Sequence, residues 1–502
     1  MKGKELDVVS LLEKTLLMQS QESLEEIGTV VKIGDGICSV YGLQKAVFGE
    51  VVAFDKGGKG LVLDLDEDFV SVVLLEGFTN VVELDVVRRT GHVFSIPVGD
   101  CLLGRVINAS GVPVDALGNL DTTESLAIEQ NVAGISERQP INRSLETGTV
   151  VIDSLFPIGK GQRELLVGNR GTGKTAVAIN AILHQKGKNV VCIYVSIGHK
   201  QSSTAKIIHR LDMEGALAYS VVINADAKEP ALNQFLAPYA GCTIGEYFMR
   251  KGRDVLIVYD DLSAHAIAYR ELSLLLRRPP GREAFPGDIF FIHAKLLERA
   301  GRLSVPLGGG SLTALPIIQT QGDDISAYIP TNLISITDGQ IFLDAGLFKG
   351  GIKPGVNVGL SVSRVGSSAQ TKAMRRVAGM LRLELAQYHE LLAFAQFGSE
   401  LDKASQRALD RGKRAIEILK QDEGDTYSFV DQVIFLTLLK ENYLDKLELL
   451  YIKQFTVECA SYVRGAHKEL YDRIFRQEDI SSDDLVLLKK AADEFALIFS
   501  PA

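Results

Sequence analysis

The chain has 502 residues, too many for one ordinary core and enough for about two to four domains. Hydrophobic residues make up 46 %, charged residues 23 % and aromatics 7 %, with no Trp, a globular composition that excludes wholesale disorder. The formal net charge is −9, which argues against nucleic acid as the main partner, because phosphate neutralisation needs clustered Lys and Arg.

The N-terminal stretch MKGKELDVVSLLEKTLL has too short an apolar run for a secretion signal and carries acidic residues. Within residues 1–25, Leu6, Val9, Leu12 and Leu16 fall at helical spacing and predict a short amphipathic helix over 5–17. It suits packing on its own protein or docking to another polypeptide. No uncharged apolar run reaches the roughly 18 residues that a membrane helix needs.

Residues 26–95 change character. IGTVVKIGDGICSVYGL and GKGLVLDLDEDFVSVVLLEG are short β-branched runs broken by Gly and Asp, the pattern of a small β-barrel. Tyr41, Phe48, Phe54, Phe69, Phe78 and Phe94 are its expected core aromatics. From 96 to 370 apolar runs such as RELLVG, NVVCIYVS and DVLIVYDD alternate with helical stretches, which predicts a mostly parallel sheet covered by helices. Over 371–502 the strands fade. Val377, Leu381, Leu385, Tyr388 and Leu392 lie on one face of a long helix, and a helical bundle is expected. The five cysteines (Cys38, Cys101, Cys192, Cys242, Cys459) form no CxxC pair and are expected as small buried residues in a reducing compartment.

GNRGTGKT at 168–175 satisfies GxxxxGK[ST] through Gly168, Gly173, Lys174 and Thr175. The glycines let backbone N–H groups turn inward onto phosphate oxygens, and a helix beginning near Lys174 adds its positive end. Lys174 is expected to reach the outer phosphates, and Thr175 to offer its hydroxyl to Mg²⁺. DVLIVYDD ends in Asp260 and Asp261. A carboxylate at the tip of a neighbouring strand can hold Mg²⁺ through water. Asp260 suits that role, and Asp261 suits capping the helix that follows. After the run at 190–196 a self-sufficient ATPase is expected to carry an acidic residue. Gly198, His199 and Lys200 stand there instead.

With PIGKGQRELLVG, APYAGCTIGEYF, YDDLSAHAIAYRELSLLLRRPPGREAFPGDIF, SLTALPI, PTNLISITDGQIFL, GLSVSRVG and LAQYHELLAFAQF in the same order, the chain resembles the alpha subunits of F-type ATP synthases over nearly its whole length. The resemblance implies a β-barrel crown, a RecA-like nucleotide domain and a helical lower domain. It implies a ring in which alpha alternates with catalytic beta subunits around a central gamma shaft. A peripheral-stalk or delta-type subunit would meet the N-terminus. The complex would sit on the cytoplasmic face of a bacterial inner membrane or an equivalent energy-coupling membrane, held there through its ion-conducting sector. Alpha sites in this family bind Mg-ATP or Mg-ADP without turning over, and the activating glutamate belongs to beta.

Carried over by position, nucleotide contacts fall on Gly168, Asn169, Arg170, Gly171, Thr172, Gly173, Lys174 and Thr175, with Asp260 near Mg²⁺. The adenine pocket falls on Phe348, Lys353, Pro354 and Gln421. The arginine that alpha lends to beta falls on Arg364, with Ser361 and Ser363 in the same motif. The chain departs from the family's usual GDRQTGKT at Asn169 and Gly171, from a usual Gln at His199, and from a second adenine-side Gln at Glu423. A self-sufficient secretion or flagellar ATPase would need a glutamate after the 190–196 run. An RNA-translocating ring would need a basic, aromatic barrel. Neither is present.

Overall fold

The computed structural model describes residues 27–78, 80–396 and 402–500, so the helix expected over 5–17 lies outside the described residues. Six strands, Ile27–Gly34, Ile37–Gly42, Glu50–Phe54, Lys59–Leu65, Phe69–Glu76 and Val86–Val93, close into an antiparallel barrel in the order first, second, fifth, fourth, third, sixth. Val30, Val40, Val52, Val62, Val72 and Val87 fill its inside. Glu50 is fully buried and remains tolerable because Arg89 grips both its oxygens, at 3.0 and 3.1 Å. The aromatic expectation is corrected in part. Phe54 and Phe94 are buried, but Phe48, Phe69 and Phe78 are exposed. Phe48 sits in a turn, Phe69 opens a strand and Phe78 follows one, so barrel alternation does not aim them inward.

The central domain is built on one sheet. From one edge its strands are Val362–Ser363, Gly339–Leu343, Leu165–Asn169, Ser311–Thr320, Asp254–Asp260, Val190–His199, Ser220–Asp226 and Val106–Asn108. All neighbours along this path are parallel except the first pair. Gly301–Arg302 adds a short antiparallel pairing to Ser311–Thr320. The inner strands are continuous apolar runs because both sheet faces are covered. In Val190–His199, Cys192 and Tyr194 point into one core, and Val191, Ile193, Val195 and Ile197 into the other. The first core holds the phosphate-loop helix Lys174–Leu183 and continues into the C-terminal helices. The second holds the helices Ala231–Arg250 and Leu262–Leu275.

The C-terminal part is a bundle, and the single long helix expected there is corrected. Lys372–Ala378 ends before Gly379, and Leu381–Gln396 restarts after Met380. The buried stripe of Val377, Leu381, Leu385 and Tyr388 crosses the break, so the periodicity survives while the helix does not. Leu392 is half-buried. Phe429–Lys440 is buried on almost every side and joins this bundle to the nucleotide domain, where Gln432 Nε2 donates to Asp153 Oδ2 at 2.8 Å. The cysteines are free thiols, buried except for half-buried Cys101.

The buried Arg299–Glu246 pair locks the second core. The guanidinium donates to Glu246 at 3.0 and 2.7 Å, to Ile128 O at 2.9 Å and to Thr243 Oγ1 at 2.8 Å. Arg299→Leu strands the carboxylate and should destabilise the protein by about 3–5 kcal/mol. Arg299→Leu/Glu246→Leu should lose less than the two single losses summed. Midpoints of chemical denaturation for the three variants check this.

Candidate functional site

The phosphate loop follows Leu165–Asn169 at the C-terminal end of the sheet. A Cβ at Gly168 would lie 2.3 Å from Leu343 O on the neighbouring strand, so only glycine lets the loop leave there. Gly173 takes a φ of 91° immediately before the helix Lys174–Leu183, which any other residue would adopt at a cost. Thr172 Oγ1 donates to Asn169 O at 2.8 Å and braces the turn. The Lys174 ammonium donates to the carbonyls of Gly168, at 2.8 Å, and Asn169. Burial pulls its pKa down to about 8, against the opposing pull of Asp261, Asp260 and Asp323.

Asp260 is 1 % exposed at the tip of Asp254–Asp260. Its Oδ2 accepts from Thr175 Oγ1 at 2.7 Å and from Tyr194 OH at 2.8 Å. Burial alone would raise its carboxyl, but His199 and the two hydroxyls hold it below the usual carboxylate range. Thr175 and Asp260 thus form a hydroxyl and carboxylate pair at the mouth of the phosphate loop. That donor set fits a divalent cation lying on the outer phosphates. Asp261 does what capping requires: its Oδ1 accepts Ala264 N–H at 2.8 Å, and Gln319 Nε2 donates to its Oδ2 at 2.6 Å. Burial and the neighbouring Asp260 charge raise its carboxyl.

His199 is brought to this carboxylate by a bulge. The register of Val190–His199 on its neighbour shifts between Ile197 and His199. Gly198 takes a φ of 68°, and a Cβ there would lie 2.8 Å from Ala264 Cβ. His199 Nε2 then lies 3.1 Å from Asp260 Oδ1. The contact is close but off the line of a hydrogen bond, and Nε2 is buried without a hydrogen-bond partner.

Phe348, Lys353, Pro354 and Gln421 converge with Thr149 and Gly173 on a cavity of about 320 Å³ beside the phosphate-loop helix. Lys353 Nζ sits 5.3 Å from the Phe348 ring centroid. Gln421 lines the cavity, but its amide is committed: Oε1 accepts Val150 N–H at 3.0 Å and Nε2 donates to Gly148 O at 2.7 Å. Thr149 offers a buried, unpartnered hydroxyl there, which sequence motifs give no reason to single out. Glu423 stands at the rim, paired with Arg210. Sequence motifs single out neither Asp323, whose Oδ1 is buried without a partner, nor Tyr194.

Arg364 is exposed at the opposite end of the sheet. It follows Val362–Ser363, which pairs with Gly339 and Gln340 at the start of Gly339–Leu343. The phosphate loop lies beyond Leu343, the partner of Gly168. Four residues of strand separate these levels by about 13 Å at roughly 3.3 Å per residue. The guanidinium donates to Thr337 O at 3.1 Å and to Ile334 O at 3.4 Å. Ser363 Oγ donates to Pro157 O at 2.8 Å. Ser361 is fully buried, and its hydroxyl accepts Phe342 N–H at 3.0 Å, so it braces the strand edge.

A glycine-rich loop between a parallel strand and a helix, with an acidic strand tip alongside and a base-sized cavity behind, defines a P-loop nucleotide-binding protein. Flanked by a barrel and a helical bundle, it has the domain order of one lineage within that class. Residues 23–91 match the beta-barrel domain of the ATP synthase alpha/beta family, 148–363 match the nucleotide-binding domain of that family, and 370–495 match its C-terminal domain. The protein belongs to the ATP synthase alpha/beta family. It is 50 % identical over 501 residues to "ATP synthase subunit alpha" of Clostridium kluyveri (strain NBRC 12016), with 99 % of each sequence covered. No helix among the described residues is long and apolar enough to cross a membrane.

Glu423→Gln removes a negative charge from the cavity rim. ATP affinity should rise about two- to fivefold, since an exposed pair is worth under about 1 kcal/mol. Gly171 has open space around its Cβ position but a φ of 79°. In Gly171→Gln, left-handed strain of roughly 1–2 kcal/mol should cancel any gain from the new amide. Equilibrium nucleotide binding by the two variants checks both.

Proposed function

We propose that the protein is the non-catalytic, nucleotide-binding alpha subunit of an F-type ATP synthase. It holds Mg-ATP or Mg-ADP at its own phosphate loop and lends Arg364 to the catalytic site of a neighbouring beta subunit during ion-gradient-driven synthesis or hydrolysis. The observation that carries this reading is the placement of the two functional groups. Arg364 lies at the end of the sheet away from the protein's own phosphate loop, exposed, with its guanidinium set on the Thr337 and Ile334 carbonyls. It cannot serve the nucleotide of its own subunit, and a planar guanidinium held this way is free to meet a phosphate on another.

At its own site the loop N–H groups and Lys174 would receive the phosphates. Phe348, Pro354 and Thr149 would hold the base. Thr175 and Asp260 would hold Mg²⁺, which neutralises phosphate charge when bound. The strand end that would place an attacking water carries the His199 imidazole, already set against Asp260, and Asp261 has a donor on each oxygen. Binding without turnover follows. Beta subunits, a gamma shaft and a peripheral-stalk subunit are the partners this role requires. Attachment to the cytoplasmic face of an energy-coupling membrane would then be indirect, through the ion-conducting sector.

Purified free of partners, the protein should bind Mg-ATP and show no steady-state hydrolysis. Rapid turnover would make it a self-sufficient ATPase instead. Lys174→Ala should weaken nucleotide binding to this subunit while single-site hydrolysis by the assembled complex persists. In that complex Arg364→Ala should leave assembly intact and lower multisite hydrolysis by about a thousandfold or more. Arg364→Lys should recover little, because a point charge does not reproduce the fork. Turnover of the complex, normalised to assembled particles, reads each result.

A further inference from the structure

A buried carboxyl lies beneath the mount of Arg364. Glu164, the residue before the strand Leu165–Asn169, is fully buried. Gln162 Nε2 donates to its Oε2 at 2.7 Å, and its Oε1 is enclosed without a hydrogen-bond partner. The charged groups that act on it are Asp338 and Arg364, and Asp338 is itself held by two nitrogens of Arg163, at 2.9 and 2.8 Å. An ionised carboxylate here would carry a whole buried charge on one hydrogen bond. The neutral acid leaves only one O–H short of an acceptor, which costs far less. Burial accordingly pushes this carboxyl well above the usual carboxylate range. The Gln162 bond and Arg364 oppose the rise, and Asp338 adds to it.

Its neighbours lead to the arginine. Gly339 pairs with Ser363 at the edge of the sheet, and a Cβ on Gly339 would lie 2.6 and 2.9 Å from the two Glu164 oxygens. Glycine therefore lets the carboxyl seat against that pair. The Gln162 amide that binds Glu164 also donates to Ser363 Oγ at 3.1 Å, and its Oε1 accepts Gly159 N–H at 2.8 Å. Ser363 Oγ in turn donates to Pro157 O at 2.8 Å and accepts Gly366 N–H at 3.2 Å. The chain on both sides of Arg364 hangs from these bonds, while Arg364 N–H donates to Asp338 O at 2.8 Å. The Thr337 and Ile334 carbonyls under the guanidinium are neutral acceptors and leave its charge unspent. A charge on Glu164 would compete for that guanidinium at close range in a poorly solvated setting.

We propose that Glu164 is a positioning residue for Arg364: as a neutral acid it fixes the edge that carries the arginine, through Gln162 and Ser363, and leaves the guanidinium charge free for a phosphate on a neighbouring subunit. The proposal rests on the reading of Arg364 as a group lent to another subunit and adds what holds it ready.

The test has two arms. At neutral pH, the infrared difference between the full-length protein and Glu164→Gln should show the carbonyl band of one protonated carboxyl, lost in the variant. No such band means an ionised Glu164 and overturns the proposal. In the assembled complex, Glu164→Ala should lower kcat and kcat/KM of multisite hydrolysis together by about ten- to a hundredfold. Glu164→Gln, uncharged and of the same shape, should recover most of that loss. Added to Arg364→Ala, Glu164→Ala should cost nothing further, because its effect passes through the arginine. Equal losses in the Ala and Gln variants, additive losses in the double variant, or full turnover by Glu164→Ala each overturn the proposal. Should Glu164→Ala fail to assemble, Glu164→Leu takes its part in the same comparison. If Arg364→Ala collapses turnover while Glu164→Ala does not, the positioning role fails alone. If Arg364→Ala keeps full turnover, the reading of Arg364 as lent to a neighbour fails and takes the positioning role with it.

Discussion

An almost fully enclosed carboxylate, Asp260, sets the terms for the rest of the nucleotide domain. The strand before it, Val255 to Tyr259, is wholly buried. A charge at the end of such a strand is costly unless neighbours donate to it. Tyr194 reaches it from the adjacent strand and Thr175 from the first turn of the phosphate-loop helix. Meeting that demand fixes the height of Val190–His199 against Asp254–Asp260, and the distance of the loop from both. Register, loop position and cation position are therefore one solution to one buried charge. The Tyr194 ring is fully enclosed, yet its hydroxyl remains useful because it ends at this oxygen.

The two faces of the sheet divide the work. One core packs the helices Ala231–Arg250 and Leu262–Leu275 and stays within the nucleotide domain. The other runs without a break from the phosphate-loop helix into the C-terminal bundle. The cavity lined by Phe348, Pro354 and Gln421 lies on that second side, at the seam between domains. Gln421 comes from the bundle side and spends its amide on Gly148 and Val150 of the nucleotide domain. Gly424 N–H donates to Asn180 Oδ1 of the phosphate-loop helix at 3.2 Å. Under the proposed alpha role, a bound base would sit where the helical domain is tied to the loop, so occupancy and the set of that domain would be felt together.

Under the proposed alpha role, the protein uses opposite ends of a single sheet for two nucleotides. The C-terminal ends of the parallel strands cradle its own. The edge strand Val362–Ser363 turns antiparallel and carries Arg364 out at the other end. Ser361 and Ser363 give that edge its stiffness by bonding to Phe342 and Pro157. A guanidinium meant for a neighbouring subunit needs such a mount, because a mobile arginine would lose in ordering what it gains in contact.

Local pattern in the sequence determined the three-part architecture, the strand–loop–helix form of the phosphate loop, and the placement of Asp260 beside that loop with Asp261 at the following helix cap. Periods of two and 3.6, glycine spacing and a polar residue just after an apolar run are all written over a few residues, and these features formed as read. Phe348, Lys353, Pro354, Gln421 and Arg364 are singled out by a family resemblance, and spacing alone does not find them. What only the tertiary structure decided depends on groups distant in sequence. Tyr194 meets Asp260 across 66 residues, and Gln421 meets Gly148 across 273. No window shows that Phe48, Phe69 and Phe78 face outward, that Gly379 and Met380 split a helix whose apolar stripe is unbroken, or that Ser361 is sealed beneath the edge strand. His199 reads in sequence as the absence of an acid. Its meaning comes from the bulge at Gly198, which turns the imidazole onto a carboxylate from another strand, and strand register is a property of the folded sheet.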